Sequence, residues 1–351
     1  MKIIDKSKPV LVTGATGYVA GRLVEKLLED GLTVHAAVRS PDNKEKTKYL
    51  DLIAEKAPGT IKYFKADLLE DGSYDAAAEG CELIFHTASP FIRDINDPQK
   101  DLVDPALKGT RNVLNAASKS PSVKRVVLTS SCAAIYGDNV DLQQMPGKKL
   151  KENIWNTSSS LEHQPYSYSK TVAEKEAWKM VADQEQWDLV VINPSLVVGP
   201  GINPHGTSET FNIMKMLGNG DMKAGAPEFN IGAVDVRDLA TAHYNAGFVP
   251  EAEGRYIISA EDTSFLGFAD MLRSGYPKHP LPKRKIPKFL VWLMGPSVGM
   301  PRKMVARNVG YPWSADNSKS KDKLGMIYRP MSETINDFFA HLIEEGVIHK
   351  N

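Results

Sequence analysis

Val10-Leu11-Val12-Thr13-Gly14-Ala15-Thr16-Gly17-Tyr18-Val19-Ala20 decides how this chain is read. A short β-branched run leads into two glycines in G-x-x-G spacing, with the small residue Ala20 three positions further on. Tyr18 to Asp30 then carries Val19, Leu23, Leu27 and Leu28 at helical spacing. Strand, bare turn and helix in that order suit an anionic ligand. Backbone N–H groups stand uncovered at a helix N-terminus, where side chains would block a pyrophosphate. The glycine pattern alone is weak, and the following strand, Thr33 to Val38, supplies the βαβ context that gives it weight. Thr13, Gly14, Thr16, Gly17, Tyr18 and Val19 are the expected dinucleotide contacts.

Outward from this unit the alternation continues. Strand candidates Ile61–Ala66, Leu83–Thr87, Val123–Thr129 and Leu189–Asn193 are interleaved with helices that include Leu102–Ser118 and Tyr166–Gln184. This order predicts an α/β fold with a Rossmann-type, doubly wound parallel sheet, helices on both faces and right-handed crossovers. After Pro194 the pattern loosens into Gly- and Pro-rich turns at 199–206, 225–227 and 277–301. Strand candidates Phe229–Val236 and Arg255–Ser259 and a terminal helix Met331–Glu345 remain. Residues 1–194 are expected to form mainly the nucleotide-binding domain and 195–351 mainly a smaller substrate-binding lobe, with some C-terminal segments returning to the sheet.

Composition removes several function classes. In 351 residues, 43 Lys and Arg balance 43 Asp and Glu, which leaves no single-sign field for a polyanion. Two cysteines, Cys81 and Cys132, are too few for a disulfide scaffold and fit a reducing compartment. None of the eight histidines has another three to five residues away, so no metal site is expected. The N-terminus lacks an export pattern, and the longest apolar stretch, Phe289 to Met300, is broken by Gly295-Pro296. A cytoplasmic monomer or homodimer acting on a small molecule, with no nucleic acid partner and no stable membrane insertion, is the expectation.

The second strand selects the cofactor. A carboxylate at its end would bind both ribose hydroxyls and repel a 2′-phosphate, but here the strand ends Val38-Arg39-Ser40. The Arg39 guanidinium can stack on adenine and pair with phosphate, and Lys44, Lys46 and Lys48 follow. NADP(H) is favoured over NAD(H).

Tyr166-Ser167-Tyr168-Ser169-Lys170 places a phenol and an ammonium group four residues apart, on one face of a helix. The pair alone proves little. Its helix, however, follows the strand ending Leu128-Thr129-Ser130-Ser131, whose carboxyl edge is where open sheets bind ligands. A neighbouring Lys⁺ and a cationic nicotinamide favour the phenolate and let Tyr166 exchange a proton near neutral pH. Ser131 can donate to a carbonyl oxygen whose charge grows as hydride arrives, while Lys170 can also hold the nicotinamide ribose.

Thr13–Ala20, Arg39, Ala66-Asp67-Leu68, His86-Thr87-Ala88-Ser89-Pro90, Thr129-Ser130-Ser131, Tyr166/Lys170 and Pro194-Ser195-Leu196-Val197-Val198-Gly199-Pro200 resemble the extended short-chain dehydrogenase/reductases. The chain is most similar to their dihydroflavonol reductase, cinnamoyl-CoA reductase and yeast-type methylglyoxal (aldehyde) reductase branch. The resemblance implies that Asp67, with Leu68, binds adenine and that Lys46 joins Arg39 at the 2′-phosphate. It further implies that Thr87, Ala88, Ser89 and Thr129 line the dinucleotide and that Pro194, Ser195 and Val197 flank the nicotinamide. Two adjacent serines leave the catalytic hydroxyl open between Ser130 and Ser131; the resemblance implies Ser131, since the family's functional hydroxyl usually directly precedes a small residue, here Cys132.

The activity expected is NADPH-dependent reduction of an aromatic or aliphatic aldehyde or ketone. Alternatives are a nucleotide-sugar epimerase, kept alive by Ile135-Tyr136-Gly137, a 3β-hydroxysteroid-type dehydrogenase, and a non-catalytic NADP(H) sensor. Phe91, Ile92, Tyr136 and Trp292 are candidate walls of the substrate pocket. The apolar segment 286–294 around Trp292 reads as a pocket cover, a core helix or a membrane-surface helix.

Overall fold

The computed structural model describes residues 2–89, 95–204, 206 and 208–349. Its strands are β1 (Val10–Thr13), β2 (Thr33–Val38), β3 (Thr60–Lys65), β4 (Leu83–His86), β5 (Arg125–Thr129), β6 (Asp188–Pro194), β7 (Leu196–Val198), β8 (Ala226–Pro227), β9 (Asn230–Asp235), β10 (Gly254–Ile258), β11 (Glu261–Ser264) and β12 (Lys285–Ile286). β1 and β4 are buried along their whole length because helices cover both faces, as near-continuous Val, Ile, Leu and Phe runs require. Seven strands form one parallel sheet in the order β10-β6-β5-β4-β1-β2-β3. Val10 is in register with Val34 on one side and Leu83 on the other. The strand order therefore reverses at β1, and the crevice for a ligand opens at the carboxyl ends of β1 and β4.

The helix Tyr18–Glu29 buries Leu23, Val24, Leu27 and Leu28 against one sheet face, packing with the helix Val236–Phe248. The helices Asp104–Lys119 and Pro165–Ala182 cover the other face, where Val113, Leu114, Ala117, Ala177 and Trp187 meet Ile84, Val126 and Val191. Expected element ends shift by one or two residues. The exception is the predicted helix from Leu102, whose first turn, Gln99–Val103, is wound as a π-helix before the α-helix begins at Asp104.

The second half builds a smaller sheet, β11-β9-β7, with β9 and β11 antiparallel. Phe211, Phe268, Phe338 and Phe339 fill the space between it and the helices Glu209–Asn219, Phe265–Leu272 and Met331–Glu344. β10 returns to the main sheet beside β6. The helix Lys288–Met294 buries only Val291, so the core-helix reading of 286–294 does not hold.

Candidate active site

The glycine-rich turn is shaped by a close approach. Gly14 has φ +64°, donates its N–H to the Ala37 carbonyl at 2.9 Å, and leaves room for no side chain: a Cβ there would lie 3.1 Å from Cα and Cβ of Ala88. Gly17 caps the next helix without a side chain, so the first-turn N–H groups face the crevice uncovered. Below the turn, Thr13 Oγ1 sits 3.1 Å from His86 Nδ1 and accepts from the Ala88 N–H at 3.0 Å, while the Thr87 hydroxyl donates to the Thr13 carbonyl. These bonds lock the end of β1 to the loop after β4. Burial, helped by the charge of Lys170, pushes His86 down to about 3, so it is a neutral structural residue.

Tyr18, one of the expected cofactor contacts, has its hydroxyl engaged within the chain. That hydroxyl donates to the Gly199 carbonyl at 2.6 Å, and the ring packs edge-on against Phe211. Arg22 Nε donates to the Pro200 carbonyl, which ties the helix Tyr18–Glu29 to the loop after β7. Thr16 and Val19 are half-buried beside the turn.

Arg39 and Lys46 are exposed beyond β2, and among the described residues neither has an ion-pair partner. The flanking lysines are occupied: Lys44 lies 3.7 Å from Asp51, and Lys48 2.9 Å from Glu45. Asp67 is half-buried after β3. Its backbone is fixed by Ser73 and Asn112, and one carboxylate oxygen accepts from the Leu69 N–H.

An open crevice is lined by Leu68, His86, Ala88, Ser89, Thr129, Ser130 and Lys170 among others. Tyr166 stands half-exposed in the first turn of the helix Pro165–Ala182. Lys170 Nζ lies 5.9 Å from the Tyr166 ring centroid and donates to Ser89 Oγ at 3.1 Å. The two serines have different duties. Ser130 is buried and gives its proton to Glu174 at 2.5 Å, whereas Ser131 is half-buried and caps a 3-10 turn by accepting from the Ala133 N–H. Thr129 lines the crevice, but its hydroxyl is engaged by His243 Nε2 at 2.7 Å. Pro194 ends β6, the Ser195 N–H bonds the Ile258 carbonyl, and Val197 pairs with Val234.

Of the expected pocket walls, Phe91 and Ile92 lie outside the described residues. Tyr136 packs against Trp313, with ring centroids 6.2 Å apart. Trp292 is exposed, with the Arg302 guanidinium 4.5 Å over its ring.

Two buried supports escape a reading of the sequence. Glu174, one turn beyond Lys170, accepts from Ser130 and from Asn193 Nδ2 at 2.8 Å and lies 2.6 Å from Arg255 Nε; it joins β6, β10 and the end of β5 to the helix Pro165–Ala182. Asp138 binds His163 at 2.7 Å, Gln164 at 3.0 Å, Arg307 at 2.5 Å and Asn308 at 2.7 Å. Burial would raise its carboxyl, but these bonds hold it below the ordinary range. They also hold Gln164, which takes φ +57° immediately before Pro165 and Tyr166. The Glu174 position follows the Tyr166/Lys170 face by i+4 spacing. Arg307 is 169 residues from Asp138, and no local pattern links them.

A doubly wound sheet, a side-chain-free turn at the strand-order reversal and a tyrosine–lysine pair beside it define an NAD(P)-dependent oxidoreductase of carbonyl and alcohol groups. The NAD dependent epimerase/dehydratase family model matches residues 10–247, and the chain belongs to that family within the extended short-chain dehydrogenase/reductases. Cinnamoyl-CoA reductase CAD2 of Medicago truncatula is 40% identical over 285 residues, 78% of this chain and 83% of that protein. Tetraketide alpha-pyrone reductase 1 of Arabidopsis thaliana is 34% identical over 98% of both chains. The crystal structure of yeast methylglyoxal/isovaleraldehyde reductase Gre2 with NADPH is 28% identical, covers 97% of this chain and all of that one, and superposes with a TM-score of 0.77.

Proposed function

We propose that the chain is an NADPH-dependent carbonyl reductase that turns an apolar aldehyde or ketone into the alcohol, with Tyr166 as proton donor. One observation carries the reading: an accessible phenol stands beside an ammonium that bridges toward Ser89 at the cofactor crevice, while Ser130 donates to Glu174 and the Ser131 hydroxyl donates to no partner among the described residues. The cofactor is supported by the glycine turn, where Gly14 takes a positive φ and its backbone packs closely on Ala88, and by the exposed cations Arg39 and Lys46, which suit a 2′-phosphate. Thr13 through Val19, Asp67, Leu68, Thr87 to Ser89 and Pro194 to Val197 would hold it. Tyr18 acts there by fixing the helix against the Gly199 loop.

When bound, the nicotinamide supplies hydride to the carbonyl carbon. Ser131 donates a hydrogen bond to the substrate oxygen and holds it in place. Tyr166 gives that oxygen its proton, and Lys170 stabilises the phenolate left behind. Asp138 holds the residue before Pro165 and so sets the direction of Tyr166.

The test is loss of NADPH absorbance with a panel of hydroxycinnamoyl-CoA thioesters, dihydroflavonols, aliphatic aldehydes and UDP-sugars. Turnover of at least one carbonyl compound, faster with NADPH than with NADH, is expected. NADPH binding with no turnover of any carbonyl compound would point to a sensor, and UDP-sugar isomerisation without net cofactor consumption to an epimerase.

A further inference from the structure

The chain is neutral as a whole, yet between Asp270 and Asp316 there is no acidic residue and there are nine Lys and Arg. Three of the nine are paired: Arg273 with Asp270, Lys285 with Glu228 and Arg307 with Asp138. The remaining six, Lys278, Lys283, Arg284, Lys288, Arg302 and Lys303, are exposed and form no salt bridge among the described residues, and Lys303 alone acts through its charge on a carboxylate, that of Glu162. Within the same stretch Phe289, Leu293, Met294 and Val298 are 60–71% exposed, and Trp292 stands beside them under Arg302. Four acids of this lobe, Glu228, Glu261, Asp262 and Asp270, line one depression, and two of them hold Lys285 and Arg273.

We propose that this face docks on the surface of an anionic lipid bilayer. Exposed apolar side chains flanked along the chain by cations without salt bridges, with Arg302 lying on Trp292, match a membrane interface, where the acyl boundary takes the first and lipid phosphates the second. Among the described residues no helix is long and apolar enough to cross a membrane, so the face lies on the bilayer. A second copy of the chain is the poorer occupant. A two-fold contact would bring the same cations against themselves. The helix Arg302–Asn308 connects the face to Asp138 and, through Gln164, to the start of the helix Pro165–Ala182.

The experiment is co-sedimentation of the full chain with vesicles of phosphatidylcholine alone or mixed with phosphatidylserine, at low and high salt. Binding to the mixed vesicles at least about tenfold stronger than to phosphatidylcholine, and lost at high salt, is expected. Phe289→Ser/Leu293→Ser and Lys283→Glu/Arg284→Glu/Lys303→Glu should each lower it about tenfold, and the charge-reversed variant should keep its NADPH turnover in solution unchanged. These positions are exposed, so both variants fold. A blue shift of tryptophan emission on adding mixed vesicles, absent in Trp292→Phe, should accompany binding. Absence of binding to either vesicle, or equal binding to both, would overturn the proposal. So would a wild-type dimer that Phe289→Ser/Leu293→Ser turns into a monomer.

Discussion

The sheet around β1 and the segment from Lys288 to Asn308 spend their apolar residues in opposite ways. In β1, Val10, Leu11 and Val12 are all buried, and the covering helix adds Leu23, Val24, Leu27 and Leu28. In the helix Lys288–Met294, Val291 alone is buried, and it meets only a small cluster with Val305 and Val309. Equal hydrophobicity in the sequence thus leads to a core in one place and to an outward face in the other. What separates them is whether a second layer covers the element.

That contrast can be broken at the catalytic helix, where the largest effect is expected. Tyr166→Phe keeps the ring and removes the proton, so kcat should fall by roughly 10²–10⁴ while NADPH titration by fluorescence gives an unchanged Kd. Near-normal turnover would move the acid elsewhere, with Tyr168 the first alternative.

Beneath that helix the buried polar network should dominate stability. Arg255→Leu strands the Glu174 carboxylate, and loss of a single partner from such a pair costs about 3–5 kcal/mol, read as a lower urea midpoint. Charge reversals in the Lys288–Asn308 face should move the midpoint by less than about 0.5 kcal/mol.

At the edge of the sheet, Arg39→Asp should narrow or invert the NADPH preference in kcat/KM. One charge-assisted phosphate contact is worth about 1.5–3 kcal/mol, or roughly ten- to a hundredfold. Equal wild-type kinetics with NADH and NADPH would remove Arg39 from the 2′-phosphate.

Two histidines give the sheet a pH signature that the outer face lacks. Burial lowers His86 to about 3 and His243 to about 4, from 6.5. The folded chain keeps them neutral, and the unfolded chain takes up protons below pH 6.5. Stability is therefore full above pH 6.5 and falls as the pH drops toward 4, by about 2 kcal/mol for each histidine at pH 5. Urea unfolding at pH 7 and pH 5 reads this, and His243→Asn should flatten the profile.

The first half was legible because its physics is local. β-branched runs, a turn that only glycine permits and i+4 spacing of Tyr166 and Lys170 are each written within a few residues. The acceptor that engages Ser130, Glu174, was not legible, and the proposal of Ser131 as the substrate-facing hydroxyl gains support from it. Asp138 was invisible as a support because its partners come from residues 163–164 and 307–308. The fate of Trp292 depended on which layer would cover the helix Lys288–Met294, which no periodicity in seven residues can tell.

The smallest expected effect tests the opening contrast most directly, since one residue type serves both regions. Trp187 is 2% exposed, packs under the main sheet and donates its indole N–H to Ser118 Oγ at 3.1 Å. Trp187→Ala removes a filled volume from a dense core and should cost about 3–5 kcal/mol. Trp292 is 42% exposed and touches the Arg302 guanidinium on its outer side, so Trp292→Ala forfeits only part of its burial and an exposed cation–π contact of about 0.5–1 kcal/mol. Its urea midpoint should shift by about 1 kcal/mol or less. Kinetics then separate the two functional readings of this residue. A wall of the substrate pocket raises KM for bulky aromatic carbonyl compounds, with kcat for a small aldehyde unchanged; a residue that serves only the outer face leaves both constants alone and weakens vesicle binding. A loss of 3–5 kcal/mol in Trp292→Ala would instead show that a second layer does cover this helix, and the contrast between the two regions would fall.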